Sequence, residues 1–107
     1  MIASGCSGWD PNEARSAVAD SIWGPWTELG NPCVGPDATS TFGAQSAFVF
    51  PARGNDDAFI LMADRWNRAD LRASTYVWLP IRFEGSKPFV HWLPEWDLGL
   101  FGPQRSE

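Results

Sequence analysis

A polar, glycine-containing loop that runs without interruption into an apolar strand limits how this chain can fold: Thr39-Ser40-Thr41-Phe42-Gly43-Ala44-Gln45-Ser46-Ala47-Phe48-Val49-Phe50-Pro51. In a β architecture such a junction holds a polar side chain at the mouth of a scaffold cavity, and the strand fixes its position. Gln45 is that side chain. Three further strands follow it. After a turn at residues 53–57, residues 58–64 are apolar almost throughout, which predicts a strand buried on both faces. Residues 76–83 form a third strand, and the hairpin turn Glu84-Gly85-Ser86-Lys87 leads into a fourth at residues 88–92. Four successive antiparallel strands make one meander. The segment 93–101, with Trp96 and Leu98, is expected to fold back on the sheet before residues 102–107 fray.

The chain before the loop reads as the end of an earlier unit of the same kind. Residues 1–4 are a short apolar piece cut off by Gly5-Cys6-Ser7-Gly8-Trp9, a loop with an aromatic ring at its tip. In residues 14–21, Ala14, Ala17, Val18 and Ser21 fit helical spacing behind Asn12 as a cap, so periodicity alone favours a helix there. Residues 22–28 are a tight turn followed by a short extended piece. Residues 30–37, punctuated by glycine and proline, predict a connection without regular structure.

A chain of 107 residues is one domain or less, and at this size it buries roughly 60–70% of its unfolded surface. Its net charge of −5, with 13 acidic against 8 basic residues, lacks the electrostatic footprint of a nucleic-acid or anionic-membrane binder. No apolar run approaches the ~20 residues of a membrane span. The first residues lack the basic and apolar regions of a secretion signal, and the compartment stays unknown. Cys6 and Cys33 are too few for a metal cluster, and a disulfide or two buried thiols are both compatible with them. His91, on the last strand, has no neighbouring ligands for a metal site, and Asp56 and Asp57 are expected to be solvated in their turn. No cofactor is called for. Seven tryptophans are the compositional anomaly. Rings at this density suit a sugar-binding cleft or the packing between sheets, and for any single tryptophan core packing is the expectation.

A four-stranded meander preceded by strands of another unit matches the radial repetition of a β-propeller. Several motifs, taken in order, carry a family resemblance. They are Ser4-Gly5-Cys6-Ser7-Gly8-Trp9, Ala19-Asp20-Ser21 with Gly24-Pro25-Trp26, Gly30-Asn31-Pro32-Cys33, and Thr41-Phe42 with Gln45-Ser46. Met62-Ala63-Asp64-Arg65-Trp66-Asn67, Tyr76-Val77-Trp78-Leu79-Pro80, and Trp92 with Glu95-Trp96-Asp97-Leu98 complete the series. Together they resemble the C-terminal part of glycoside hydrolase family 43, in its exo-β-1,3-galactanase-like (galactan 1,3-β-galactosidase) branch. The resemblance runs from about Ile2 to Phe101.

It implies an all-β chain forming part of a five-bladed β-propeller with an inverting active site in the central funnel. Residues 1–38 would be the second half of one blade and a connecting loop, residues 39–101 a complete four-stranded blade with its closing segment, and residues 102–107 a tail. Residues 14–21 then become a strand. The implied ligand is β-galactan or a related oligosaccharide, although relatives in the family also cut arabinosides and xylosides. Full-length relatives are expected to be secreted or periplasmic.

Inverting hydrolysis needs an acid for the leaving oxygen and a group that positions water on the opposite face of the sugar. By the resemblance, the acid is a glutamate upstream of Met1, so this chain by itself is expected to be inactive. Gln45 does carry over, because the branch places a glutamine beside the attacking water. An amide holds and orients that water through its carbonyl, with any proton taken in a less usual tautomer; the alternative is that Gln45 only satisfies loop backbone groups. Ser7, where the branch commonly has a threonine, is a candidate to hydrogen-bond a sugar hydroxyl, and Trp9 to stack beneath a ring or pack between blades. Asp64 and Arg65 are candidates for substrate contact, or for a structural ion pair. Two other readings remain open: a small non-catalytic carbohydrate-binding module, and an inactive folded remnant. Exposed blade edges would invite self-association.

Overall fold

Eight strands and three 3-10 turns form the structure, a computed structural model that describes residues 1–54 and 56–102; no α-helix occurs among them. Asn55, within the turn at 53–57, and residues 103–107 of the expected tail lie outside the described residues. Strands β1 (Ile2–Ala3), β2 (Arg15–Val18) and β3 (Thr27–Gly30) make an antiparallel sheet in sequence order. Within residues 14–21, whose own spacing favours a helix, residues 15–18 are a strand and the chain bends at 20 and 21. Pairing on both sides, Ser16 with Ile2 and Ala17 with Glu28, outweighs a weak local preference.

The second sheet has the order β4 (Cys33–Val34), β8 (Lys87–His91), β7 (Thr75–Glu84), β6 (Phe59–Arg65), β5 (Gln45–Pro51). Its last four strands are the expected antiparallel meander. The short β4 lies within residues predicted to be an irregular connection. It runs parallel to β8, and the Val90 amide donates to the Pro32 carbonyl at 2.8 Å just before it.

Directly opposed residues in a sheet share a face, so the register sorts the side chains. Val49, Leu61 and Leu79 form one row, and Ser46, Ala63 and Val77 the next. This face closes on Ala14, Cys33, Phe42, Ala44 and Val90 to make the main core. On the opposite face Phe48, Met62 and Trp78 form a row, and Phe50, Ile60 and Pro80 another. Only part of that face is covered. Ala52, Ala58 and Ile60 pack with Phe50 against Trp96 and Phe101, which the 93–101 segment brings back as expected. Phe48, Tyr76 and Trp78 stay exposed.

Six of the seven tryptophans, all but Trp96, are exposed, against the expectation of core packing for each. The reason lies in the architecture. Two thin sheets present more broad faces than one chain of this size can cover, and rings placed to cap a face are left open. Both thiols are free: Cys6 is exposed and Cys33 is buried. Burial pushes the Cys33 thiol up to about 11, partly countered by a hydrogen bond with Thr41, so it stays protonated and unreactive at neutral pH.

Candidate functional site

Asn12 organises the loop that faces Gln45. Its side-chain oxygen accepts from the Gly5 amide at 2.6 Å, while its side-chain nitrogen donates to Ser7 Oγ at 2.8 Å and to the Asp10 carbonyl at 3.4 Å. Ser7 Oγ donates in turn to the Asp10 carbonyl at 2.9 Å. Residues 5–12 thus close on themselves and display Trp9 at the tip. The Trp9 ring meets Trp66 edge-on with centroids 4.7 Å apart, and Asp10 forms an exposed ion pair with Arg68 at 3.2 Å.

The segment leading to Gln45 is strained. Thr41, Phe42 and Gly43 have φ of 51°, 56° and 77° in succession, a left-handed turn that costs about 1–2 kcal/mol at each non-glycine position. Two hydrogen bonds offset it. Thr41 Oγ1 donates to the Asn12 carbonyl at 2.6 Å, and Arg65 Nη2 donates to the Phe42 carbonyl at 2.7 Å. The same bonds tie the left-handed turn to the 5–12 loop on one side and to the end of β6 on the other.

Gln45 opens β5, and its face is decided two residues later. The register shifts between Ser46 and Phe48, an inserted residue in the pairing with β6. Without it, period-two alternation would put Gln45 on the core face with Val49. With it, Gln45 lies opposite Asp64, which lies opposite Tyr76, on the face away from the main core. The Gln45 side-chain nitrogen donates to the carbonyls of both Gly8 and Asp10, the latter at 2.6 Å. Both partners can only accept, which fixes the orientation of the amide. Its carbonyl oxygen takes no hydrogen bond among the described residues. Gln45 therefore satisfies loop backbone groups with one end and leaves an acceptor open at the other.

The structure brings Ser7, Trp9, Gln45 and Asp64 to one neighbourhood and turns Arg65 away. Successive strand residues point to opposite faces, so Asp64 lies with Gln45 while Arg65 reaches Phe42 and lies over the Trp92 ring, Cζ to centroid 5.2 Å. The adjacent carboxylate and guanidinium form no ion pair with each other among the described residues. Half-buried Asp64 accepts no side-chain hydrogen bond there either. Sequence reasoning did not single out Trp66 or Arg68 as partners of the loop. The turn signal Asp10-Pro11-Asn12-Glu13 in the sequence agrees with Asn12 serving a loop rather than capping a helix. No group of His, Cys, Asp and Glu residues among those described could hold a metal ion.

Neither family models nor curated proteins match the chain. Solved structures do. A GH43 β-1,3-galactosidase solved with galactodeoxynojirimycin is 47% identical with a TM-score of 0.84; the match covers 92% of this chain and 28% of that one. A second GH43 β-1,3-galactosidase is 43% identical with a TM-score of 0.87, covering 94% of this chain and 21% of that one. A variant of exo-β-1,3-galactanase from Phanerochaete chrysosporium, solved with β-1,3-galactotriose, is 34% identical with a TM-score of 0.71, covering 83% and 20%. Fold and sequence alike relate the chain to glycoside hydrolases. More narrowly, it belongs with family 43, beside its β-1,3-galactosidases and exo-β-1,3-galactanases, and it spans less than a third of their length.

Proposed function

We propose that the chain is the C-terminal part of an inverting glycoside hydrolase acting on β-1,3-linked galactan, in which Gln45 holds and orients the attacking water. In this reading residues 1–38 are half of a propeller blade with its connection, and residues 39–101 are a whole blade in a five-bladed ring. Residues 102–107 are its tail. The observation that carries the reading is the Gln45 amide: its nitrogen is pinned by two loop carbonyls, and its oxygen is left as an open acceptor on a residue that pairs with Asp64 across the strands. A water held there has its lone pair aimed by a group that needs no reorganisation during reaction. Asp64 is placed to accept a sugar hydroxyl and Trp9 to stack on a ring, while Ser7, committed to Asp10 and Asn12, acts first by shaping the loop. The leaving oxygen needs a carboxylic acid ~6.5–9.5 Å from the water-holding group. By the family resemblance, that acid comes from outside residues 1–107.

Two measurements test this. In the isotopically labelled chain titrated with β-1,3-galactobiose, the Gln45 side-chain amide and Trp9 indole signals should shift together and saturate; no shift at millimolar sugar overturns the reading. Incubated with β-1,3-galactan, the chain alone should give no turnover. Turnover lost in Gln45→Ala would instead place the acid within these residues. The exposed tryptophans favour a second reading, a carbohydrate-binding module, in which galactobiose binds but Gln45→Ala leaves affinity unchanged.

The uncovered sheet face also bears on how the chain behaves alone. Phe48, Tyr76 and Trp78 side by side on one sheet face, with Ile22 and Trp23 at the tip of the first sheet, present apolar surface that water disfavours. Self-association is expected, with apparent mass in size-exclusion chromatography rising with concentration and falling in Trp78→Lys. A concentration-independent monomer would contradict it.

A further inference from the structure

A groove of about 500 Å3, lined by Val34, Asp37, Phe42, Arg65, His91 and Trp92, lies at the same end of the second sheet as Gln45. Its size falls within the ~300–1,000 Å3 of small-molecule sites. β5 begins at Gln45, β6 ends at Arg65 and β8 ends at His91, so the strand ends carry the two features side by side. Arg65 is half-buried, and of its five N–H donors only Nη2 is engaged among the described residues, by the Phe42 carbonyl at 2.7 Å. The guanidinium Cζ lies 5.2 Å from the Trp92 ring centroid, and Trp92 remains 44% exposed. His91 adds an exposed donor, or acceptor, at the rim. Asp37 makes no ion pair with Arg65 among the described residues, although both line the groove.

A half-buried guanidinium with open donors in a chain of net charge −5 is a local cationic spot, not part of a basic surface. Its fork matches the two oxygens of a carboxylate, and an exposed indole beside it matches the C–H face of a sugar ring. We propose that this groove binds a uronic acid, a sugar carrying a carboxylate. Arg65 takes the carboxylate, Trp92 supports the ring and Asp37 accepts a hydroxyl. The sugar half of this ligand rests on the glycan reading above, whereas the carboxylate half rests on Arg65 alone.

Titration of the labelled 107-residue chain with sodium glucuronate, galactose and sodium acetate, followed by nuclear magnetic resonance, tests the proposal. Glucuronate should shift the Trp92 indole and Arg65 side-chain signals saturably, with galactose and acetate at least about tenfold weaker at the same signals. Arg65→Gln should weaken glucuronate binding about tenfold, and His91→Gln, which leaves the Phe42 carbonyl bond intact, severalfold. Galactose or acetate matching glucuronate, no saturable shift at all, or full affinity in both variants would overturn the proposal. If glucuronate leaves Trp92 untouched while galactobiose moves Gln45, this site fails and the Gln45 reading stands. If the reverse is seen, the Gln45 reading fails and this site stands.

Discussion

Leu79→Ala is expected to destabilise the chain by about 3–4 kcal/mol, a large part of the ~5–15 kcal/mol that holds a domain of this size together. Leu79 sits on the central strand β7, 1% exposed, opposite Leu61 and within the core shared with Val77, Ile81 and Val90. A sheet is stiff and both neighbouring strands are paired, so the walls of the void cannot close, and the lost contacts add to the lost transfer free energy. Urea unfolding followed by tryptophan fluorescence should show the midpoint falling by about 1–4 M, given a slope of ~1–3 kcal/mol/M. The control is Tyr76→Ala on the same strand, 66% exposed on the opposite face, where the change should stay within about 1 kcal/mol. Equal effects of the two substitutions would mean that the buried face has been assigned to the wrong side of the sheet.

The core face was legible because β6 and β7 read as runs of apolar, β-branched and aromatic residues, and the turns between strands carry glycine or charged residues at the expected intervals. The four strands from Gln45 to His91 accordingly fall within a residue or two of where the sequence puts them. Residues 14–21 were not legible from their own periodicity. Alanine, serine and valine fit either state at four residues, and what decides for β2 is pairing with residues on two other strands, outside any window of local periodicity. β4 escaped for a related reason, since two residues of parallel pairing with β8 leave no local signal and depend on a partner over fifty residues later.

At the candidate site, the directions of the side chains were not legible. Gln45, Ser7, Trp9 and Asp64 converge, but the side Gln45 takes depends on the irregularity between Ser46 and Phe48, which alternation in a single sequence does not reveal. Asp64 and Arg65 looked like a pair because they are adjacent. Adjacency in a strand is what separates them, and the guanidinium finds a backbone carbonyl and an indole ring on the other side. Exposure of the tryptophans was also not predictable from composition, because burial of a ring on a sheet face depends on whether another layer covers that face.

Gln45→Glu, nearly unchanged in shape, is expected to disrupt the site more than Gln45→Ala. The amide nitrogen donates to two carbonyls, of Gly8 and Asp10. A carboxylate in its place removes both donors and sets negative oxygen against two oxygens that cannot donate, a change of about 2–4 kcal/mol in the loop-closed state. Alanine removes the donors without the repulsion, leaving carbonyls that water can reach, and should cost about 1–2 kcal/mol. Release of the loop would separate Trp9 from Trp66, so the readout is their mutual shielding in the indole proton spectrum, together with faster hydrogen exchange at the Gly5 amide that Asn12 now holds. The expected order is wild type, Gln45→Ala, Gln45→Glu in increasing exchange. Lowering the pH should restore part of the glutamate variant, because a protonated carboxyl regains one donor for the two carbonyls. If the glutamate variant instead keeps the loop closed at neutral pH as well as wild type does, the two bonds to Gly8 and Asp10 are not what fixes the amide, and the open acceptor that the water-orienting role requires loses its physical basis.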